Sequence, residues 1–523
     1  MGAPPTTHVA IIGAGIGGLS AAALLAAKGL RVTVIEKEPV PGGKARTLPV
    51  GDTQVAAGPT VFTLRDVFDT IFDACGERLD DHVTTRPAET LARHAWSETE
   101  RLDLFADPQR SEAAIGDLAG ADAARGYRAM RAEAARIYNL LDHSFIRAGK
   151  IHLPPQFLFR IGLSRFFELS AARPYETMWK VLGEHFADPR LRQLYARYAT
   201  YCGSSPFDCP ATLMLIAHVE AQGVWLIDGG IAALAKALRT IGERQGASYR
   251  FGTAVERIVT SGGKATGVVL ASGEQIAADR VIVNADPAAL GAGLLGEDAR
   301  RAVGALKPAK RSLSAMVWLG HTQTSGFELK HHNVFFSPDY AREFGDIAAG
   351  RPPVDPTVYI CAQDRESFGA AKPDGKERLQ IIVNAPANGD ARTYSPEEKE
   401  QCTQAMRKRL ARCGLTLEES WQHRLLTPND WADFLPGTGG AIYGRVSHGW
   451  AASFLRQGTR TRIKGLYCAG GSTHPGAGVP MAALSGQLAA RTVMADLTST
   501  RRFLPAAMAG GMSMRSARTE NTA

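Results

Sequence analysis

The stretch His8–Glu36, HVAIIGAGIGGLSAAALLAAKGLRVTVIE, constrains the fold more tightly than any other part of the chain. His8–Ile12 is a short apolar run ending directly in glycine, the pattern of a buried parallel strand. Gly13, Gly15 and Gly18 then give G-x-G-x-x-G at the opening of an Ala/Leu-rich segment, Leu19 to Lys28, with strong helix propensity. Gly29 stops that helix, and Arg31–Ile35 is a second, β-branched strand ending at Glu36. Each residue type meets a physical need. Gly13 permits the tight turn, Gly15 lets a pyrophosphate approach the backbone, and Gly18 lets helix and strand pack closely. The helix N-terminus offers free N–H groups and the positive end of its dipole to phosphate. Glu36 stands where a carboxylate accepts both ribose hydroxyls, and its charge would repel the 2′-phosphate of NADP. A lone G-x-G-x-x-G says little. Strand, glycines, helix, strand and acid in one unit point to an adenine dinucleotide, with Gly13, Ala14, Gly15, Ile16, Gly17 and Gly18 as the turn that holds it.

At 523 residues the chain is long for one domain, so two are expected. The net charge is +8, but the basic residues are dispersed and none of the stretches has the form of a nucleic-acid module. Anionic lipid is the better counterpart for that charge. The seven cysteines are scattered, odd in number and without C-x-x-C spacing, which suits a reducing compartment and argues against a disulfide framework or a metal site. No signal peptide is expected ahead of a strand that begins at His8, and no apolar run reaches the roughly 18 residues needed to cross a bilayer.

After Glu36, Lys37–Gly51 (KEPVPGGKARTLPVG) reads as a loop. Pro39 and Pro41 forbid helix, and Gly42-Gly43 lets backbone lie flat against a ligand. Lys44 and Arg46 are placed to neutralise phosphate or the anionic edge of a reduced flavin; the alternative is a solvated basic loop. At this distance from a dinucleotide unit the segment resembles the loop that continues the FAD site in two-domain flavoproteins, with Lys37, Gly43 and Lys44 as contacts. Gly58-Pro59-Thr60 is a further glycine-marked turn, expected beside the isoalloxazine ring.

From about Asp66 to Ala221 the apolar spacing predicts mainly helix. Within it, Ile151–Met178 interleaves large apolar residues with Arg160, Arg165 and Arg173. It reads either as a segment lying in a membrane interface or as an ordinary helix packed on the core. Leu194–Pro210, LYARYATYCGSSPFDCP, is either the lining of an apolar cavity or packing around a helix-to-loop break. A helix is expected up to Arg244, then strands at Tyr249–Phe251, Val255–Val259, Ala265–Leu270 and Ala278–Val283. Further strands are expected at Ser314–Leu319, Thr357–Ala362 and Leu379–Asn384. Near the C-terminus, KGLYCAGGSTHPGAGVPM (Lys464–Met481) predicts a strand, a close-approach glycine loop and a helix from Val479 to Ala495. That helix aims a second N-terminus at the cofactor through Gly470, Gly471, Gly478, Val479 and Pro480. Cys468 is read as inert packing in preference to a covalent flavin link. His474 is a weak candidate acid/base; an imidazole tied to its own loop is the favoured reading. From Arg501 onward the composition predicts a disordered tail.

Together these elements predict an α/β protein: a Rossmann-like, FAD-binding domain assembled from 1–90, 225–290 and 435–500, with an α+β substrate- and membrane-facing domain from 91–224 and 291–434 inserted. AIIGAGIGGL, VIEKEPVPGGKART and AGPTV at the front and GLYCAGGSTHPGAGVPMA at the back resemble the phytoene desaturase family of carotenoid dehydrogenases, over nearly the whole length. The THPGAGVP form separates it from monoamine-oxidase-like relatives, which share the front motif alone. Within the family, GPTVFTLRDVFDTIF, ARYATYCGSSPF and FLPGTGGAIYG are most similar to the 1-hydroxycarotenoid 3,4-desaturases (methoxyneurosporene or hydroxyneurosporene dehydrogenases) of purple photosynthetic bacteria.

The resemblance implies an amine-oxidase-type fold, FAD as cofactor with the strand at Val255 bonding its adenine, and an acyclic C40 carotenoid as substrate. It implies C3–C4 desaturation of 1-hydroxyneurosporene or a methoxy analogue, with phytoene desaturation, or flavin-dependent isomerisation or saturation, as alternatives. It further implies a cytoplasmic enzyme held peripherally on the inner or intracytoplasmic membrane, with oxygen or a quinone as final acceptor. The expected route is hydride loss from an allylic carbon to the oxidised flavin, then proton loss from the adjacent carbon. The protein must hold a rigid hydrocarbon edge-on, exclude water and present a base. A hydroxyl on C1 would need a polar partner at the closed end of the tunnel, since leaving it unpaired costs about 1–3 kcal/mol. The residues by themselves name neither that partner nor the base.

Overall fold

A five-stranded parallel sheet grows outward from His8–Ile12, in a computed structural model that describes residues 7–149, 173–366 and 375–502. Arg31–Ile35 and then Ser248–Arg250 lie on one side; Arg280–Val283 and then Leu466–Cys468 lie on the other. Strand order therefore reverses at His8–Ile12, whose neighbours come from the start and the middle of the chain. In open α/β sheets the ligand crevice lies at the carboxyl ends of the strands beside such a reversal. Here that place is Gly13 and Asn284. The helix Ile16–Ala26 packs between this sheet, Gly230–Arg244 and Val479–Arg502, which is why nearly all of its residues are buried and it has no polar face. Ile11, Leu19, Val34 and Ile282 are fully buried there, each contributing about 1.5–3 kcal/mol of hydrophobic stabilisation. A three-stranded antiparallel sheet, Val255–Ser261, Lys264–Leu270 and Gln275–Ala277, adjoins it.

A second, seven-stranded sheet runs in the order Gln422–Leu426, Ser314–Thr322, Glu377–Ala385, Val358–Ala362, His332–Phe335, Thr90–Ala95, Arg101–Phe105. All its pairs are antiparallel except His332–Phe335 with Thr90–Ala95. The mainly helical reading of 66–221 fails at this first hairpin. Arg101–Phe105 does alternate, with Leu102 and Leu104 buried between more exposed neighbours, but five residues between long helical stretches give a weak period-two signal. The helix Pro108–Leu141 is broken at Gly120 (φ 86°, ψ 175°). It ends in a π-helical turn, Asp142–Ile146, a distortion frequent at functional sites.

The last helix runs Val479–Arg502, so it passes the expected end at Ala495 and takes in Arg501 and Arg502; the rest of the expected tail lies outside the described residues. Residues 150–172, with Arg160 and Arg165, also lie outside them. Arg173 is described, and its guanidinium is engaged by Glu176 and Glu184, each at 2.5 Å, instead of standing free for lipid headgroups. Among the described residues no helix is long and apolar enough to cross a membrane.

Candidate active site

Backbone bonds set the turn after the first strand. The Gly13 N–H donates to the Ile35 carbonyl and the Gly42 N–H to the Ala14 carbonyl, both at 2.8 Å, so the first glycine turn and the Gly42-Gly43 loop are clasped together. Gly13 has φ +99°, a conformation open to glycine. A Cβ on Gly18 would stand 2.2 Å from the Gly13 carbonyl oxygen, and one on Gly17 2.9 Å from the Gly470 Cα. The helix Ile16–Ala26 begins at Gly15 without a side-chain cap, leaving its first N–H groups for a ligand. Glu36 accepts the Ala14 N–H at 2.6 Å and the Glu38 N–H at 3.0 Å. The carboxylate is thereby held at the cavity wall.

That wall encloses a single cavity of about 1070 Å³. The volume is just above the roughly 300–1,000 Å³ of small-molecule sites. Gly13, Gly15, Ile16, Gly17, Glu36, Lys37, Gly43, Lys44, Gly58, Pro59, Thr60, Val255, Gly470, Gly471, Gly478, Val479 and Pro480 all line it. Ala14 and Gly18 lie behind the wall, as does His474, while Pro475 and Gly476 next to it do face the cavity. His474 is buried edge-on to Phe145 at 4.9 Å between ring centroids, and burial pushes its imidazole down to about 4. Cys468 is also behind the wall, its thiol pushed up to about 12 by burial.

Two residues of this end have no local sequence signature. Asn284 donates from Nδ2 to the Gly13 carbonyl at 3.1 Å, and its amide occupies the space that Cβ atoms on Gly15, Gly17, Gly18 or Gly470 would enter. Only the parallel register of Ile12 with Val283 brings it there. Arg456, also buried, donates to the Tyr443 carbonyl at 2.9 Å and the Arg445 carbonyl at 2.7 Å. Lys44 donates to the Ile442 carbonyl at 2.5 Å. Burial lowers the pKa of both cations, and neither makes an ion pair among the described residues. The Asp286 carboxylate acts on both from within the cavity without pairing to either, so a further anion there would stabilise them. Two such cations, the glycine turns and the uncapped N-terminus at Gly15 fit an anionic dinucleotide.

Away from the glycines the wall becomes apolar, with Phe145, Leu213, Ile216, Val219, Ile382 and Phe454 among its residues. Phe145 and Ile146 arrive on the π-helical turn, Ile216 and Val219 on the helix Leu215–Ala221, and Ile382 on the second sheet. Arg197, Thr200, Tyr201 and Cys202 bring the 194–210 stretch to the cavity. Tyr359 joins the two halves: its hydroxyl lies 2.7 Å from Thr60 Oγ1 and 2.7 Å from His332 Nδ1. Tyr175 and Trp450 line the cavity yet are 74% and 41% exposed, with ring centroids 5.4 Å apart, and so mark its mouth. Beyond the wall, His331, His332 and Cys361 place their ligand atoms within 4.8 Å of one another. Burial pushes the Cys361 thiol up to about 12, which keeps it protonated.

A reversed-order parallel sheet, glycine turns clasped around a cationic pocket and an adjoining apolar chamber together define a flavin-dependent oxidoreductase. Residues 16–494 match the flavin-containing amine oxidoreductase family, and the chain belongs to it, within the carotenoid desaturases. It is 49% identical to the hydroxyneurosporene desaturase of Rubrivivax gelatinosus over 99% of both chains. It is 45% identical to the hydroxyneurosporene desaturase of Cereibacter sphaeroides over 94% of this chain and 99% of that one. It is 32% identical to the all-trans-zeta-carotene desaturase of Myxococcus xanthus over 92% of each. Among solved structures, a redesigned putrescine oxidase superposes with a TM-score of 0.58 at 15% identity, covering 94% of this chain and 100% of that one. Cyclohexylamine oxidase from Brevibacterium oxydans gives 0.54 at 18%, with the same coverage. These likenesses show the amine-oxidase-type fold. FAD is the cofactor, as the glycine spacing and the family resemblance implied.

Proposed function

We propose that this enzyme introduces the C3–C4 double bond of an acyclic C40 carotenoid oxygenated at C1, 1-hydroxyneurosporene or its methyl ether, in carotenoid biosynthesis. The observation that carries the reading is the single cavity joining the glycine turns to the apolar chamber, so that polyene and cofactor share one space. The names of the relatives in Rubrivivax and Cereibacter support the choice of substrate.

In this reading Gly13–Gly18, Glu36, Lys37, Gly43, Lys44, Gly58–Thr60, Val255, Gly470, Gly471 and Gly478–Pro480 hold FAD, Glu36 at the ribose and Lys44 with Arg456 at the anionic centre. FAD, when bound, supplies a two-electron acceptor. The chain's own contribution is geometric: the glycines let the cofactor lie against backbone, and the apolar wall aligns the polyene and keeps water out. His474, neutral and behind the wall, is assigned the support of the Pro475–Gly476 turn. The reading keeps the domain division at 1–90, 225–290 and 435–500 against 91–224 and 291–434. The exposed Tyr175, Trp450 and Leu455 beside the mouth suit a membrane interface. The enzyme sits peripherally on the cytoplasmic side of the inner or intracytoplasmic membrane, with oxygen or a membrane quinone as final acceptor. Incubation with phytoene, neurosporene and 1-hydroxyneurosporene in liposomes, read by product mass and absorption, tests this. The expected product comes from 1-hydroxyneurosporene, two hydrogens lighter and absorbing at longer wavelength. Conversion of phytoene alone, or a product of unchanged mass, would overturn it.

A further inference from the structure

Among the polar groups that line the apolar chamber is one that a plain hydrocarbon does not call for, the guanidinium of Arg197. Arg197 opens the short 3-10 turn Arg197–Cys202 and lines the cavity. It makes no ion pair among the described residues. Within the same residues its one side-chain hydrogen bond runs from Nη1 to the Tyr201 hydroxyl at 3.1 Å. The cation lies 5.3 Å from the Tyr201 ring centroid and 5.1 Å from that of Tyr359. The Glu220 carboxylate feels this charge directly but is joined to it by hydrogen bonds through Tyr201, whose hydroxyl is 3.5 Å from Glu220 Oε2, and the other Glu220 oxygen is taken by Tyr198. A guanidinium carries five N–H donors in a rigid plane and no acceptor. Aromatic faces steady its charge, but the remaining donors have no acceptor among the described residues. The position is informative as well. Tyr359, beneath the guanidinium, is hydrogen-bonded to Thr60, in the turn assigned to the flavin ring. An oxygen on C1 is only two carbons from C3, so its partner must stand near that ring and not at the far end of the chamber.

We propose that Arg197 donates a hydrogen bond to the oxygen on C1 of the polyene, setting the C3–C4 bond in place and excluding substrates that lack that oxygen. The proposal rests on the desaturase reading above. Because the guanidinium only donates, it needs a lone pair and accepts an alcohol and a methyl ether alike. A hydrocarbon terminus would leave buried donors unpaired, and a site built to bond an oxygen rejects the analogue without it.

The test is a competition in one set of liposomes among neurosporene, 1-hydroxyneurosporene and 1-methoxyneurosporene, for the wild-type holoenzyme, Arg197→Met and Arg197→Lys. The ratio of products does not depend on how much of a variant is folded, and flavin content is measured alongside. In the wild type the alcohol and the ether compete within a few-fold of each other, and both exclude neurosporene. In Arg197→Met the preference for the oxygenated substrates falls roughly 10- to 100-fold with flavin content retained, while Arg197→Lys keeps most of it. An unchanged product ratio in Arg197→Met overturns the assignment. So does loss of flavin with the ratio intact, which would place Arg197 in the cofactor site. Acceptance of the alcohol with rejection of the ether also overturns it, since an acceptor such as Glu220 would then be reading the hydroxyl. Absence of product from all three polyenes in the flavin-loaded wild type sinks instead the desaturase reading on which the proposal stands.

Discussion

At the dinucleotide end the cavity wall is backbone, and at the polyene end it is side chain; the two ends therefore respond differently to substitution. Gly15, Gly17, Gly18 and Gly470 crowd around Asn284 with no room for a methyl group. Phe145, Ile216, Val219 and Ile382 present interchangeable hydrocarbon, and such walls tolerate swaps of similar volume at under about 1.5 kcal/mol. The first end is built to match one rigid ligand. The second is built to exclude water from whatever lies in it.

A matched pair of variants sharpens that contrast. Gly18→Val forces side-chain atoms onto the Gly13 carbonyl, 2.2 Å from the Cβ position. It is expected to lower stability by about 3 kcal/mol and to yield protein without flavin, read from the denaturant midpoint and the flavin-to-protein ratio. Val219→Trp, at the apolar wall, is expected to keep its flavin while raising KM for the polyene roughly tenfold. Loss of flavin in both would mean that the two ends are one structural unit.

A smaller effect separates the ends by pH. Glu343 lies under the polyene end, 2% exposed, accepting the Thr357 N–H at 3.0 Å and the Thr357 hydroxyl at 2.6 Å. Burial pushes its carboxyl up to about 7. The folded protein then keeps a proton that the unfolded chain releases near its ordinary value of about 4.3. Stability from this group is full below that value and falls as pH rises toward 7, by roughly 1–3 kcal/mol. Chemical denaturation of wild type and Glu343→Gln between pH 4.5 and 7.5 should show the decline in the wild type and a flatter profile in the variant. Parallel profiles would remove Glu343 from the account.

The same contrast explains what was legible in the sequence. Close backbone approach demands glycine at fixed local spacing, so Gly13–Gly18, Gly42-Gly43 and Gly470–Gly478 announce themselves within a few residues of one another. Their partner Asn284 does not, because its place depends on the register of Val283 against Ile12. The polyene end is assembled from segments hundreds of residues apart, such as Phe145 against Phe454 with ring centroids 5.1 Å apart, and no local spacing encodes that pairing. The 194–210 stretch shows both readings at once: Leu194, Tyr195 and Ala196 are packed in the core, while Arg197, Thr200, Tyr201 and Cys202 face the cavity. The hairpin Thr90–Phe105 was masked by the helices around it. Its strands are held by a partner, His332–Phe335, more than two hundred residues away.

The most direct measurement of whether one cavity serves both molecules is anaerobic titration of the FAD-loaded enzyme with 1-hydroxyneurosporene in liposomes. Stoichiometric bleaching of the oxidised flavin, with one desaturated product per flavin, is the expected result. A flavin that stays oxidised while the polyene is bound would contradict the account.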